Sequence, residues 1–276
     1  MTAISSALSF PTARPRKYLG QHFLVDSRIL TRIVGAAQLA SEDLVVEIGP
    51  GKGALTRRLL PQVARVVAVE MDGDLAQSLA VRLDNPANLS VICADARTVD
   101  LSEMVGDRSY KVVANLPYYA ANPIIRSFLE ANHPPSAMVV MVQREVAEGM
   151  TALPGKMSLL SVAVQFYATA KKVCSVPPTA FRPSPKVTSA VVRLDLLAKP
   201  PLIESEAPGF FNLVRAGFSS PRKQLHNSLG HGLGIGSTPA SQMLEIAGVD
   251  GSRRAGTLSL REWLDVYRVW VGKDGC

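Results

Sequence analysis

The segment Val46-Glu47-Ile48-Gly49-Pro50-Gly51-Lys52-Gly53 closes an apolar run and leads into a helix-like one. Glycines at such a turn let a ligand approach the backbone closely. Amides at the start of the following helix favour an anionic group. Two readings stay open. As Gly49-x-Gly51-x-x-Ala54 the residues fit a dinucleotide fingerprint, and as Gly49-x-Gly51-x-Gly53 a methyltransferase loop, where the anion is a methionine carboxylate. Glu70 follows about 20 residues after Gly49, placed to accept from the ribose hydroxyls of either ligand. Met71 can pack on an adenine ring, and Asp95 suits the adenine amino group as an acceptor. Either acid alone reads equally well as a helix cap or a surface charge. Three groups at successive strand ends on one edge read as a site.

Asn115-Leu116-Pro117-Tyr118 is more specific. An adenine N6 is a weak nucleophile because its lone pair is delocalised into the ring. Two acceptors, the Asn115 side-chain oxygen and the Leu116 carbonyl, would hold both N–H groups and localise that lone pair. Pro117 fixes the backbone that aims the carbonyl. Tyr118 offers a ring on which an extruded base can stack. A methyl group leaving a sulfonium needs no strong general base, since the leaving group is a neutral thioether. Alignment and electrostatics would carry the catalysis. Alone, the tetrapeptide also fits a strand end with a turn and a core tyrosine.

The elements that must position these residues follow from the apolar pattern. Leu44 to Ile48, Val66 to Glu70, Leu89 to Cys93, Val112 to Asn115 and Met138 to Val142 are short apolar runs with little alternation, as buried strands are. Helical patterns lie between them: Leu55, Leu59 and Leu60 after Gly53; Leu75, Leu79 and Leu83 after Asp72; Ile124, Ile125, Phe128 and Leu129 after Asn122. This alternation predicts an α/β fold, a mostly parallel, doubly wound Rossmann-like sheet. Val162 to Ala168 and Ala190 to Leu196 are expected as further edge strands. A Pro-rich linker, Ala198 to Gly209, precedes a small all-helical domain of four segments: Phe210 to Phe218, Pro221 to Leu229, Thr238 to Ala247 and Leu258 to Trp270. Pro221 is expected at a helix start, and Thr238 as a cap before Pro239 at the first helical position. The expected division is a flexible arm over 1–16, a catalytic domain over 17–197 and a helical domain over 198–276.

With 47% hydrophobic and 19% charged residues the composition is that of a globular chain. No apolar run is long enough to span a bilayer. Cys93, Cys174 and Cys276 make neither a disulfide framework nor a metal cluster, which points to a reducing, cytoplasmic compartment and no metal. The net charge of +7 is unevenly spread. Gly149 to Leu194 holds no acid but carries Lys156, Lys171, Lys172, Arg182, Lys186 and Arg193. Arg215, Arg222 and Lys223 lie in another acid-free stretch, and Arg14, Arg16 and Lys17 in a third. Such segments suit a polyanion, although a basic surface alone does not establish one. Pro11 and Pro15 would break the amphipathic helix of a transit peptide, so the first residues read as a disordered arm.

From about Lys17 to Arg268 the chain resembles the small-subunit ribosomal-RNA adenine N6,N6-dimethyltransferases. Lys17-Tyr18-Leu19-Gly20-Gln21-His22-Phe23-Leu24-Val25-Asp26 is similar to the family's first motif, with His22 where many members have Asn. Val176 to Val192, containing Pro177-Pro178-Thr179-Ala180-Phe181-Arg182-Pro183-Ser184-Pro185-Lys186-Val187, resembles its late motif. The resemblance implies S-adenosyl-L-methionine as methyl donor, held by His22, Leu24, Gly49, Gly51, Glu70, Asp95 and Asn115. It implies catalysis at Asn115, Leu116, Pro117 and Tyr118, with the target adenine sandwiched between Tyr118 and Phe181. Arg182, Lys186, Arg222 and Lys223 would meet RNA, the last two on a basic helix over Arg222–Leu229. The implied substrate is a pair of adjacent adenosines in a hairpin loop near the 3′ end of small-subunit rRNA, in an immature subunit; a monomer is expected because no exposed apolar repeat suggests otherwise. A large-subunit resistance methyltransferase, a non-catalytic assembly or transcription factor, and, more distantly, an NAD-dependent dehydrogenase are the alternatives. Two departures stand out. The family usually has Glu where Gly256 stands, and glycine where Ser158 stands.

Overall fold

A computed structural model describes residues 22–273; the expected arm over 1–16 lies outside the described residues. The described chain opens on β1 (Phe23–Leu24) and α1 (Ser27–Ala37), the helix capped by the Asp26 carboxylate, which accepts from the Arg28 and Ile29 amides. The five expected strands follow as β2 (Leu44–Ile48), β3 (Arg65–Glu70), β4 (Leu89–Cys93), β5 (Tyr110–Asn115) and β6 (Ala137–Gln143). Between them run α2 (Thr56–Leu59), α3 (Gly73–Arg82), α4 (Ser102–Val105) and α5 (Ala121–Leu129). Then come α6 (Arg144–Met150), α7 (Leu159–Tyr167), β7 (Ala168–Val176), β8 (Phe181–Arg182) and β9 (Ser189–Leu196).

The main sheet has the order β4-β3-β2-β5-β6-β9-β7. β2 to β6 are parallel, and β9 runs against both of its neighbours. The strands are apolar without alternation because both faces are covered. Val46 and Ile48 enter one core with α5, and Val45 enters the other with α1. β2 sits between β3 and β5, so the chain reverses direction across the sheet at this strand. A crevice opens there, at the carboxyl ends of the parallel strands.

One expected strand is a helix, and one strand was not expected. Val162–Ala168, expected as a strand, is helix up to Tyr167. Ser158 and Ser161 form a reciprocal capping box at its start. The helix is wedged between two apolar bodies: Val164 packs into the sheet's core, while Val162 and Phe166 join the C-terminal helices. Burial on opposite sides erases the polar stripe that would mark a helix. The true edge strand, β7, was hidden by its own exposure, for Thr169, Lys171 and Lys172 face solvent. Edge strands are commonly protected by lysines in this way.

The C-terminal part comprises α8 (Ala207–Phe218), α9 (Leu225–Gly232), α10 (Ser237–Ile246) and α11 (Leu260–Lys273), around buried Phe210, Leu225, Leu244 and Trp263. Pro221 does not start a helix. It lies in the turn before α9, and Arg222 and Lys223 lie in that same exposed turn rather than on a basic helix. The first amides of α9 are instead satisfied from outside: Leu225 donates to the Arg253 carbonyl and His226 to that of Gly251. This external capping fixes the start at Leu225. Likewise α10 begins at Ser237, after Gly236, with no side-chain cap from Thr238.

Of the two departures from the family pattern, Gly256 touches Met157, the residue before Ser158. The Gly256 carbonyl accepts from the Gly155 and Met157 amides, and a Cβ on Gly256 would lie 2.8 Å from the Met157 carbonyl oxygen. Ser158, next in the chain, caps α7. The Gly256 contact thereby joins the helical part to the loop before α7. No helix among the described residues is long and apolar enough to cross a membrane.

Candidate active site

The crevice is lined by the glycine loop, the ends of β3 and β5, the residues after β4, and a roof made of β1 and Phe181. Gly49 and Gly51 carry positive φ angles of 69° and 58°. A side chain at Gly49 would press on the Asn115 carbonyl at 3.2 Å, and one at Gly51 on the Phe23 ring at 3.1 Å. The loop is thus held against both the catalytic strand and the roof. Lys52 sits over the same ring, its Nζ 4.7 Å from the Phe23 centroid.

Glu70 ends β3, and its carboxylate accepts from the amides of Gly51 and Asp72, each at 3.0 Å. Burial raises its pKa against these hydrogen bonds. Asp95 lies just beyond β4 and lines the same cleft, where the Arg97 guanidinium grips both carboxylate oxygens, Nε at 3.0 and 2.9 Å. That contact lowers the Asp95 pKa.

A residue that the sequence reading passed over sits deepest. Glu47, in β2, is 1% exposed and lines the cleft, yet neither carboxyl oxygen has a hydrogen-bond partner among the described residues. Burial pushes its pKa up to about 8 against the pull of the neighbouring Thr56 hydroxyl and amide, which lie outside hydrogen-bond geometry, and the nearby Glu70 adds to the rise. A buried orphan carboxyl awaits a cation or a proton. The available signal was an acid placed inside an otherwise apolar strand.

Asn115 ends β5 half-buried, and its Nδ2 donates to the His22 carbonyl at 3.4 Å, leaving Oδ1 as an acceptor without a hydrogen-bond partner among the described residues. Leu116 is buried and its amide donates to the Met141 carbonyl, which continues the pairing of β5 with β6 into the turn. Pro117 and Tyr118 line the cleft. The Tyr118 hydroxyl is hydrogen-bonded to Ser189 Oγ at 2.7 Å. His22 donates through Nδ1 to the Pro183 carbonyl at 2.8 Å, and its ring stacks toward Tyr118, centroids 6.2 Å apart and planes 26° apart.

Phe181 lines the same cleft as Tyr118. It is 1% exposed and packed with Leu24, Val176 and Ala180. The cause is the pairing of β8 with β1, Leu24 opposite Phe181 and Phe23 opposite Arg182. Strand alternation turns Phe181 inward and Arg182 to solvent. Lys186 is exposed in the following loop, as are Arg222 and Lys223 before α9.

A parallel sheet reversing at β2, with a glycine loop, an acid at the end of β3 and an Asn-Leu-Pro-Tyr turn after β5, defines the Rossmann-like methyltransferase class. Solved structures agree. A dimethyladenosine transferase from Plasmodium falciparum is 28% identical with a TM-score of 0.79, covering 92% of this chain and 98% of its own. The 23S rRNA methyltransferase ErmE is 29% identical with a TM-score of 0.73, covering 90% and 98%. Residues 12–270 match the ribosomal RNA adenine dimethylase family, and the chain belongs to it. Similar curated proteins are the ribosomal RNA small subunit methyltransferases A of Dehalococcoides mccartyi (strain CBDB1), 44% identical over 95% of this chain and 90% of that protein, and of Pelotomaculum thermopropionicum, 44% identical over 95% and 93%.

Proposed function

We propose that this chain transfers methyl groups from S-adenosyl-L-methionine to N6 of two adjacent adenosines in a 3′-terminal hairpin loop of small-subunit rRNA, giving N6,N6-dimethyladenosine. The observation that carries the reading is the Asn115 amide at the cleft, its nitrogen committed to the His22 carbonyl and its oxygen left to accept from N6. The cleft's donor set fits the methyl donor. Gly49, Gly51 and the helix start suit its carboxylate, and the orphaned Glu47 suits its ammonium. Glu70 retains lone pairs for ribose hydroxyls, and Asp95 can accept from the adenine once Arg97 yields. His22 and Leu24 roof the site. When bound, S-adenosylmethionine supplies an electrophilic methyl on a sulfonium whose departure leaves a neutral thioether.

The protein's own contribution is alignment. Asn115 Oδ1 and the Leu116 carbonyl hold the two N6 protons, Pro117 fixes the turn, and Tyr118 supports the base face. Phe181 closes that pocket from the roof, beside β1. The proton left on N6 after attack departs to solvent, and a second transfer repeats the sequence on the monomethylated base. Arg182, Lys186, Arg222 and Lys223 would meet phosphates of an immature subunit, recognised by shape and an unstacked base. Residues 198–276, whose described part carries α8 to α11, form the second, RNA-facing domain, and the chain works as a cytoplasmic monomer.

Identity of 42–44% with small-subunit relatives, against 29% with the 23S rRNA methyltransferase ErmE, supports the small-subunit reading over a large-subunit one. The test is methyl transfer from labelled donor to undermethylated small subunits, large subunits and free rRNA, with products mapped by mass spectrometry. Dimethyladenosine at two neighbouring small-subunit positions is expected, reduced about 100-fold or more in Asn115→Ala. Label confined to large-subunit RNA would overturn the assignment, and particle binding without transfer would leave a binding factor.

A further inference from the structure

We infer that Ser189 is a positioning residue of the reaction, setting the plane of Tyr118 through its hydroxyl. This rests on the methyl-transfer reading above. Because β9 runs against its neighbours, its first residue, Ser189, falls at the carboxyl edge of the parallel strands, where the cleft opens. Ser189 is register partner to Gln143 at the end of β6 and to Val176 at the end of β7. Its backbone is therefore held from both sides, and its side chain is fully buried.

Tyr118 belongs to the turn after β5, two strands away, a span of about 10 Å. The ring crosses the end of β6, and its hydroxyl meets Ser189 Oγ at 2.7 Å. The ring is thus pinned at both ends, by the Pro117 turn and by the second strand over. The face it presents is fixed relative to Asn115 and Leu116 on that same turn. The hydroxyl is spent on a buried serine, so it takes no part in proton transfer. Stacking alone would need only a phenyl ring. The hydroxyl's contribution is to stop that ring from turning.

A double-mutant cycle tests this with Ser189→Ala, Tyr118→Phe and the pair. Each single variant should lower single-turnover kcat on saturating small subunits about fivefold, the worth of one net hydrogen bond. The pair should be no worse than either alone. Ser189→Thr, which keeps a hydroxyl, should restore most of the rate. S-adenosylhomocysteine affinity and subunit affinity should stay at the wild-type level. Independently of activity, the Tyr118 Cζ resonance in ζ-13C-tyrosine-labelled protein should move in Ser189→Ala and return in Ser189→Thr. Additive losses, or a Tyr118→Phe defect with Ser189→Ala fully active, would overturn the inference and give the hydroxyl a direct role on substrate. An unmoved Cζ resonance would remove the contact itself. If wild-type protein transfers no methyl while the resonance behaves as described, the methyl-transfer reading has failed and Ser189 orders the ring for another purpose.

Discussion

Glu47 is the residue whose surroundings demand most of the ligand. Its carboxyl, with a pKa near 8, is mostly protonated at neutral pH, and an incoming ammonium favours the ionised form. Below about pH 8, cofactor binding should therefore release a proton. The sign follows: affinity for S-adenosylhomocysteine tightens as pH rises from 6 towards 8, by at most about tenfold per unit, and flattens above. Calorimetry in buffers of different ionisation enthalpy measures the released proton directly. Glu47→Gln should abolish that release and the pH dependence together. A wild-type protein that binds equally at pH 6 and 8 would show that the ammonium lies elsewhere. In the protein without ligand the linkage runs the other way, since the raised pKa costs stability as pH climbs from the unfolded value through 8. Asp95 differs because its partner is already present: Arg97 holds it ionised, and the adenine must share or displace that contact.

Among the elements, the strands leading to the site were legible and the ones roofing it were not. β2 to β6 are continuous apolar runs because helices cover both faces, and that pattern survives in sequence. β1 and β8 are two residues each, held by pairing with one another, and no periodicity can mark two residues. Asn115, Glu70 and the glycines were readable because strand ends place them, whereas Phe181's inward turn depends on a pairing invisible in the chain. The contact of Gly256 with Met157 is similarly tertiary, and it carries a prediction. Gly256→Ala would put a methyl group 2.8 Å from the Met157 carbonyl, and Gly256→Glu a longer chain in the same place. Either substitution should destabilise the protein by about 1–3 kcal/mol, read as a lower midpoint in denaturant. An unchanged midpoint would mean that the loop before α7 yields freely. Asn115 chemistry should survive in whatever fraction remains folded.

At the scale of the whole molecule, charge decides how RNA is met. The protein carries a net +7, with Arg222 and Lys223 projecting from the turn before α9, Arg182 from β8 and Lys186 from the loop after it. If these side chains neutralise phosphates, affinity for small subunits falls steeply with salt. The Arg222→Ala, Lys223→Ala double variant should bind more weakly and lower the slope of log K against log salt by about two. Filter binding between 50 and 200 mM salt would show it, and an unchanged slope would move the RNA face elsewhere. The pairing of Leu24 with Phe181 also has a temporal meaning. These partners lie more than half the chain apart, and the Val25 and Asp26 amides both donate to the Ala180 carbonyl beside them. During translation the glycine loop and Glu70 emerge early, but the cover over them waits for residues made much later. A nascent chain is therefore an open basin, and competence to hold the methyl donor arrives only when synthesis has nearly reached the C-terminal helices.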